Sequence, residues 1–137
     1  MKKVLLVSAI TLSAMLVAPS QTSSDQAKKS PVEGTWEFVA APRLSPPRKE
    51  IKIILGGHFV FARYNAETGN LIYAGGGTYT LNSTSYTEHV DFMSQTISKG
   101  LVGKDQPFTV TVEGDTLSQT GTMTDGSKIH ETWKRIN

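Results

Sequence analysis

Ionisable side chains alternate with large aromatic ones in several segments of this chain. Arg63 follows Phe59 and Phe61 at steps of two residues, and Glu131 stands two residues before Trp133. An arginine offers a planar set of donors that fits a carboxylate or phosphate, whereas a glutamate in apolar surroundings can act as a general acid or base. The residue types therefore indicate two kinds of chemistry, recognition of an acidic group and proton transfer.

Sequence patterns of several known catalytic and metal sites are absent. The chain has no Ser-His-Asp order, no His-Glu-x-x-His motif and no glycine loop that leads into a helix. Its three histidines, His58, His89 and His130, are all expected on outward faces, and only a one-residue change of register would bring His130 inside as a metal or haem ligand. We therefore predict no catalytic residue, no metal and no cofactor.

Eight short segments with period-two alternation must position these side chains. The dipeptides Gly56-Gly57, Gly114-Asp115 and Asp125-Gly126 separate neighbouring segments and are typical of tight hairpins. The predicted strands cover residues 34–40, 49–55, 58–64, 71–81, 86–92, 106–113, 116–123 and 128–136. Short sequential connections and no helix of normal length favour an all-β, eight-stranded antiparallel up-and-down barrel, with an open or two-sheet sandwich as the alternative.

One face of each strand should point into the barrel, because successive strand residues alternate between the two faces. The predicted ligand-binding residues, all on inward faces, are Phe59, Phe61, Arg63, Tyr73, Tyr79, Tyr86, Glu88, Phe92, Gln119 and Glu131. Arg63 would orient a ligand's polar head, for which an acidic group suits the guanidinium, and the aromatic rings would surround the ligand's apolar part.

Two features of the inward face have structural alternatives. Its ionisable side chains, which include Arg135, could form two internal ion pairs instead of meeting a ligand. Arg135 itself is expected across the indole of Trp36, where it would close the barrel floor. The run 75–77 of three glycines is either a bend or bulge in the fourth strand or bare backbone that a ligand lies against.

The N-terminus predicts export. Lys2 and Lys3 precede an apolar stretch, 4–17, and residues 18–20 suit cleavage, so we assign 1–20 to a signal peptide, 21–31 to a flexible leader and 32–137 to the barrel domain. Without any cysteine the product is neither a lipoprotein nor disulfide-bonded. Loss of the two lysines leaves 12 basic and 12 acidic residues, which argues against a nucleic-acid partner. A periplasmic or secreted protein with no stable membrane span is predicted.

Ordered motifs along the chain resemble those of a known superfamily. They are Gly-Thr-Trp at 34–36, Gly-Gly-Gly-Thr-Tyr-Thr-Leu at 75–81, Tyr-Thr-Glu-His at 86–89 and Lys-Ile-His-Glu-Thr-Trp-Lys-Arg at 128–135. From about Val32 to its end the chain is similar to the calycin superfamily, and in particular to exported lipocalin-like proteins of unknown function from Bacteroidetes-type bacteria. The resemblance implies a calycin barrel that binds a small hydrophobic molecule, and it implies no catalytic residues.

Together these observations favour an exported protein that binds a small hydrophobic or amphipathic ligand. One alternative is a barrel isomerase or cyclase in which Glu88 or Glu131 is the acid or base. Another is a non-enzymatic envelope interaction module, which would use the surface loops at 42–47 and 93–103 and would have a filled interior.

Overall fold

The computed structural model describes residues 29–39, 47–94 and 100–137. The predicted signal peptide (1–20), residues 21–28 of the predicted leader, residues 42–46 of the proline loop and residues 95–99 of the connection after the fifth strand lie outside these ranges. The predicted strand that begins at Gly34 also extends beyond them at its last residue, Ala40.

The described residues form eight strands that close into a barrel. The strands are β1 (Gly34–Phe38), β2 (Arg48–Leu55), β3 (His58–Asn65), β4 (Leu71–Asn82), β5 (Ser85–Met93), β6 (Asp105–Glu113), β7 (Thr116–Thr122) and β8 (Lys128–Arg135). Each strand pairs antiparallel with the next, and β1 pairs with β8. The predicted up-and-down barrel is therefore confirmed, and the sandwich alternative is wrong.

A two-residue turn fixes the register of the hairpin formed by β2 and β3. Gly56 and Gly57 both have positive φ, 56° and 80°, a combination that glycine adopts without steric cost. The turn places Leu55 opposite His58 and Ile54 opposite Phe59. Because Phe59 is buried inside the barrel, its partner Ile54 is buried there as well.

The alternation of β2 consequently runs against its hydrophobicity. Glu50 and Lys52 share the face of Ile54 and are buried in the barrel. The apolar side chains between them face outward, and Leu55 is 63% exposed. From hydrophobicity alone, Ile51 and Ile53 would be expected inside the barrel. The structure instead buries the charged residues Glu50 and Lys52.

A β-bulge changes the facing of the end of β5. The register between β4 and β5 shifts at Gly76 and Gly77, which pair with Phe92 and Val90. Val90 is buried inside, whereas Phe92 lies on the outer surface and is 51% exposed. The predicted inward orientation of Phe92 is wrong, because the bulge inserts one residue and reverses the alternation.

The glycine run explains why the bulge can form at this point. A Cβ on Gly77 would collide with the carbonyl oxygen of His89, and one on Gly76 would lie 2.5 Å from the carbonyl oxygen of Phe59. At Gly77, β4 and β5 approach so closely that no larger residue fits. Of the two alternatives for residues 75–77, the bulge is the one observed.

One end of the barrel is filled by a compact core. Trp36 and Trp133 are fully buried there, and the Trp36 indole donates a 2.8 Å hydrogen bond to the carbonyl of Val32. The guanidinium of Arg135 lies 4.0 Å from the centre of a Trp36 ring and donates to the carbonyl of Glu33 at 2.6 Å. Arg135 occupies the floor position predicted for it, and the open space lies toward the other end.

Candidate functional site

A cavity of about 220 Å³ occupies the barrel interior beyond Trp133 and extends to Asp125, in the turn between β7 and β8. Its apolar wall includes Phe61, Tyr73, Val90, Met93, Phe108 and Ile129. Its polar wall is formed by Glu50, Lys52, Glu88, Gln106, Gln119 and Glu131. The interior therefore combines an apolar surface with a small number of polar groups.

The ten predicted ligand-binding residues divide into distinct groups in the structure. Five of them line the cavity, namely Phe61, Tyr73, Glu88, Gln119 and Glu131. Phe59 and Tyr86 belong to the buried core, and Tyr79 directs its hydroxyl to Glu33 at 3.3 Å. Arg63 lies beside the cavity and is bound to Glu50, and Phe92 is on the outer surface.

Lys52 is the centre of a buried polar cluster. Its ammonium donates to Glu88 Oε1 at 2.9 Å and to Gln119 Oε1 at 3.2 Å, and it lies 4.8 Å from the centre of a Trp133 ring. Lys52 and Glu88 are both almost completely buried. A buried pair of this kind needs further hydrogen bonds to offset the loss of hydration, and Gln119 provides one of them.

Arg63 is held by a carboxylate of the protein itself. Its Nε donates to Glu50 Oε2 at 2.7 Å, and its Nη2 contacts the same oxygen. The guanidinium also lies over the rings of Tyr73, at 4.9 Å, and Phe38, at 5.8 Å. Two internal ion pairs are therefore present, as the structural alternative predicted for Arg63 and Glu88. Their partners are Glu50 and Lys52, both on β2, which were not among the predicted residues.

Glu131 differs from the other interior carboxylates in its partners. It accepts a 3.3 Å hydrogen bond from the Trp133 indole. No lysine or arginine nitrogen among the described residues lies within 4 Å of it. Burial raises the pKa of Glu131, Lys52 lowers it, and the charges of Glu50 and Glu88 raise it further.

The side-chain amides of Gln106 and Gln119 differ in how many of their hydrogen bonds are made. Gln106 is fixed by Thr124, whose amide donates to Oε1 at 3.0 Å and whose hydroxyl accepts from Nε2 at 3.1 Å. Gln119 is 2% exposed, and within the described ranges its Nε2 makes no hydrogen bond. Gln119 faces Glu131 across the β7 and β8 pairing, so an unused donor and a carboxylate stand side by side.

Tyr86 belongs to the buried core and does not line the cavity. Its hydroxyl is buried and has no hydrogen-bond partner in the part of the chain that the structure describes. Burial and then the neighbouring charge of Glu88 raise the pKa of this hydroxyl well above its usual value. The phenol therefore remains neutral and is a potential donor toward Glu88.

The interior charges define the chemistry that the cavity can support. Within residues 29–39, 47–94 and 100–137, the strands of this half of the barrel supply three carboxylates, Glu50, Glu88 and Glu131, and two cations, Lys52 and Arg63. Asp125, in the turn at the end of the cavity, is exposed. Both cations are engaged by carboxylates, which leaves Glu131 in excess. An acidic ligand would meet no free cation here, whereas a hydrogen-bond donor or a cation would meet Glu131.

Sequence reasoning missed Glu50 and Lys52, although a signal for them was present. The Gly56-Gly57 turn sets Ile54 opposite Phe59. Lys52 and Glu50 stand two and four residues before Ile54, so they share its inward face. The three histidines, in contrast, face outward as predicted, and His89 Nδ1 is 2.7 Å from the exposed Asp105 carboxylate.

Comparison with protein families gives one assignment. Residues 31–137 match the family described as a domain of unknown function, DUF4488, and the chain belongs to that family. The search of curated proteins finds no match, and neither does the search of solved structures. In the described part of the chain, no helix has the length and apolar character needed to cross a membrane.

Proposed function

We propose that this member of the DUF4488 family is an exported, lipocalin-like protein that binds a small hydrophobic or amphipathic molecule inside its barrel. The observation that carries the proposal is the cavity of about 220 Å³ between Trp133 and Asp125. Binding pockets are typically apolar spaces with a few well-placed polar groups, and the lining of this cavity has that composition.

The size of the cavity limits the ligand. Pockets for drug-sized molecules have volumes of roughly 300–1,000 Å³, so a space of about 220 Å³ suits a smaller molecule. A single aromatic ring with a short polar substituent is of the right order. The aromatic side chains Phe61, Tyr73 and Phe108 would contact its apolar part.

Export is part of the proposal and rests on the N-terminal sequence. The basic start, the apolar stretch 4–17 and the small residues at 18–20 have the order of a cleaved signal peptide. The mature protein would then act in the periplasm or outside the cell. The resemblance to calycins, which commonly carry small hydrophobic molecules, supports the binding part of the proposal.

Native mass spectrometry tests the proposal directly. Protein purified from an exporting host should retain a small molecule, visible as additional mass that disappears on denaturation. Ile129→Trp, which fills the cavity, should abolish this mass, while Ile53→Trp on the outer surface should leave it unchanged. Retention that is equal in both variants would contradict binding inside the barrel.

A second candidate function is favoured by the position of Glu131. Burial raises the pKa of this cavity-lining carboxyl, and carboxyls with raised pKa values in clefts are frequent general acids or bases. A barrel isomerase or cyclase would use Glu131 to move a proton on a bound molecule. If the retained molecule is converted by the wild type and not by Glu131→Gln, which still binds it, the enzyme assignment is supported.

A further inference from the structure

We infer that the ligand of this cavity carries a cationic nitrogen, such as a primary amine, that pairs with Glu131 beside the free donor of Gln119. The inference rests on the proposed function, because it assumes that the cavity is a binding site. It names the chemical class of the ligand and reverses the preference for an acidic head that Arg63 suggests in the sequence.

The first step is the balance of interior charge. Arg63 is bound to Glu50 and Lys52 to Glu88, and both pairs are largely withdrawn from water. The remaining carboxylate, Glu131, has the Trp133 indole as its one hydrogen-bond donor among the described residues. A bound cation would neutralise Glu131, whereas a bound anion would add to an existing excess of negative charge.

The second step is the incomplete hydrogen bonding of Gln119. Its Oε1 is occupied by Lys52, which fixes the orientation of the amide and directs Nε2 away from that ammonium. Nε2 makes no hydrogen bond in the described part of the chain, although Gln119 is almost fully buried and lines the cavity. Because Gln119 lines the cavity, a ligand acceptor atom next to the cationic nitrogen would take a hydrogen bond from this amide group.

The third step is the remainder of the lining. Phe61, Tyr73 and Phe108 present aromatic rings to the cavity, and rings of this kind attract cations as well as apolar groups. Asp125, at the end of the cavity near the surface, adds a carboxylate that accepts a 2.9 Å hydrogen bond from the Ser127 amide. The path from Asp125 to Glu131 therefore favours a positively charged molecule.

Three probes with the same ring test this inference. Benzylamine, benzyl alcohol and benzoate differ in charge and are small enough for the cavity, and binding can be followed by NMR through the methyl groups of Met93 and Met123, which line it. At pH 7.5 benzylamine should bind more tightly than benzyl alcohol by on the order of tenfold, the effect of one charge-assisted hydrogen bond. Benzoate should bind least.

Two variants assign the effect to Glu131. In Glu131→Gln the affinity for benzylamine should fall by on the order of tenfold, while that for benzyl alcohol should be nearly unchanged. Glu113→Gln makes the same chemical change at an exposed position of β6 and should affect no probe.

The outcomes separate this inference from the proposed function. If benzyl alcohol or benzoate binds as tightly as benzylamine, or if Glu131→Gln binds benzylamine like the wild type, the cavity binds ligands but the cationic class is wrong. If no probe shifts Met93 or Met123 in the wild type, the inference and the proposed function both fail.

Discussion

Glu131 should lower the stability of the ligand-free barrel at neutral pH. Its ordinary pKa of 4.5 is raised on folding, first by burial and then by Glu50 and Glu88, against the opposing effect of Lys52. The folded state therefore holds a proton more tightly than the unfolded state, and the free energy of unfolding decreases as pH rises from below 4.5 through the folded-state pKa. Above that pKa the loss is complete.

Replacement of Glu131 by Gln should remove this loss. We expect the variant to be more stable than the wild type at pH 7 by on the order of 1 kcal/mol, the scale for one poorly satisfied buried polar group. Urea denaturation between pH 4 and pH 8 measures the effect, which should shrink toward pH 4. A variant that is less stable than the wild type at pH 7 would show that Glu131 has a stabilising partner.

Arg63 is expected to matter for stability because Glu50 depends on it. In their salt bridge the side chains of Arg63 and Glu50 are 23% and 7% exposed, so Arg63→Ala leaves a buried carboxylate without its cation. We expect a loss of about 2 kcal/mol, below the roughly 3–5 kcal/mol for a completely buried pair. Thermal and urea denaturation measure this loss.

The surface pair of Lys49 and Glu37 is the matched control for Arg63. Its 2.9 Å contact joins the exposed Lys49 to the partly exposed Glu37 on the neighbouring strand, so Lys49→Ala should have little effect on stability. Glu50→Gln combined with Arg63→Ala should recover much of the stability lost in Arg63→Ala. Equal effects of Lys49→Ala and Arg63→Ala would show that the interior pair is not special.

At the scale of single elements, the β-bulge between β4 and β5 depends on Gly77. A methyl group there would meet the His89 carbonyl, and the Asp91 amide nitrogen lies 2.8 Å from the same position. Gly77→Ala should therefore destabilise the barrel by roughly 1–3 kcal/mol through forced backbone movement. Thr78→Ala, at the exposed neighbouring position, is the control and should be close to neutral. Denaturation midpoints that agree for both variants would contradict this account of the bulge.

The strands themselves could be predicted almost completely from the sequence. Turn dipeptides such as Gly56-Gly57 and Gly114-Asp115 punctuate the alternation, and the observed strands begin and end within two residues of their predicted limits wherever these can be compared. Closure could be predicted as well, because an open sheet of eight strands would expose its edges. The order of pairing then follows from the short connections.

The facing of two strand segments could not be predicted from hydrophobicity. In β2 the isoleucines at 51 and 53 point outward because the hairpin register, rather than apolar content, decides which face is buried. In β5 the facing of Phe92 depends on a bulge, which requires the partner strand to be known. The candidate site was therefore only half predicted, since Glu50 and Lys52 enter it through β2 and Met93 replaces Phe92 as an inward residue.

At the scale of the whole molecule, the barrel has one end filled by its core and another end that contains the cavity. Trp36, Trp133 and Tyr86 fill one end, while the cavity with its charged groups lies toward the other. The pairing of the first and last strands forms the seam that closes the barrel. That seam is short, since Trp36, Glu37 and Phe38 pair with Arg135, Lys134 and Trp133.

Arg135 should hold this seam closed. Its guanidinium stacks on Trp36 and donates to the carbonyls of Glu33, at 2.6 Å, and Pro31, at 3.0 Å, so that it joins the last strand to the segment before the first. Arg135→Ala should lower the free energy of unfolding by about 2 kcal/mol. It should also accelerate hydrogen exchange at the amides of Thr35 and Ile136, which bond across the seam. Lys134→Ala changes the neighbouring outward side chain of β8 and should leave both properties nearly unchanged. If exchange in Arg135→Ala accelerates equally in all strands, the arginine stabilises the barrel as a whole and the seam has no separate weakness.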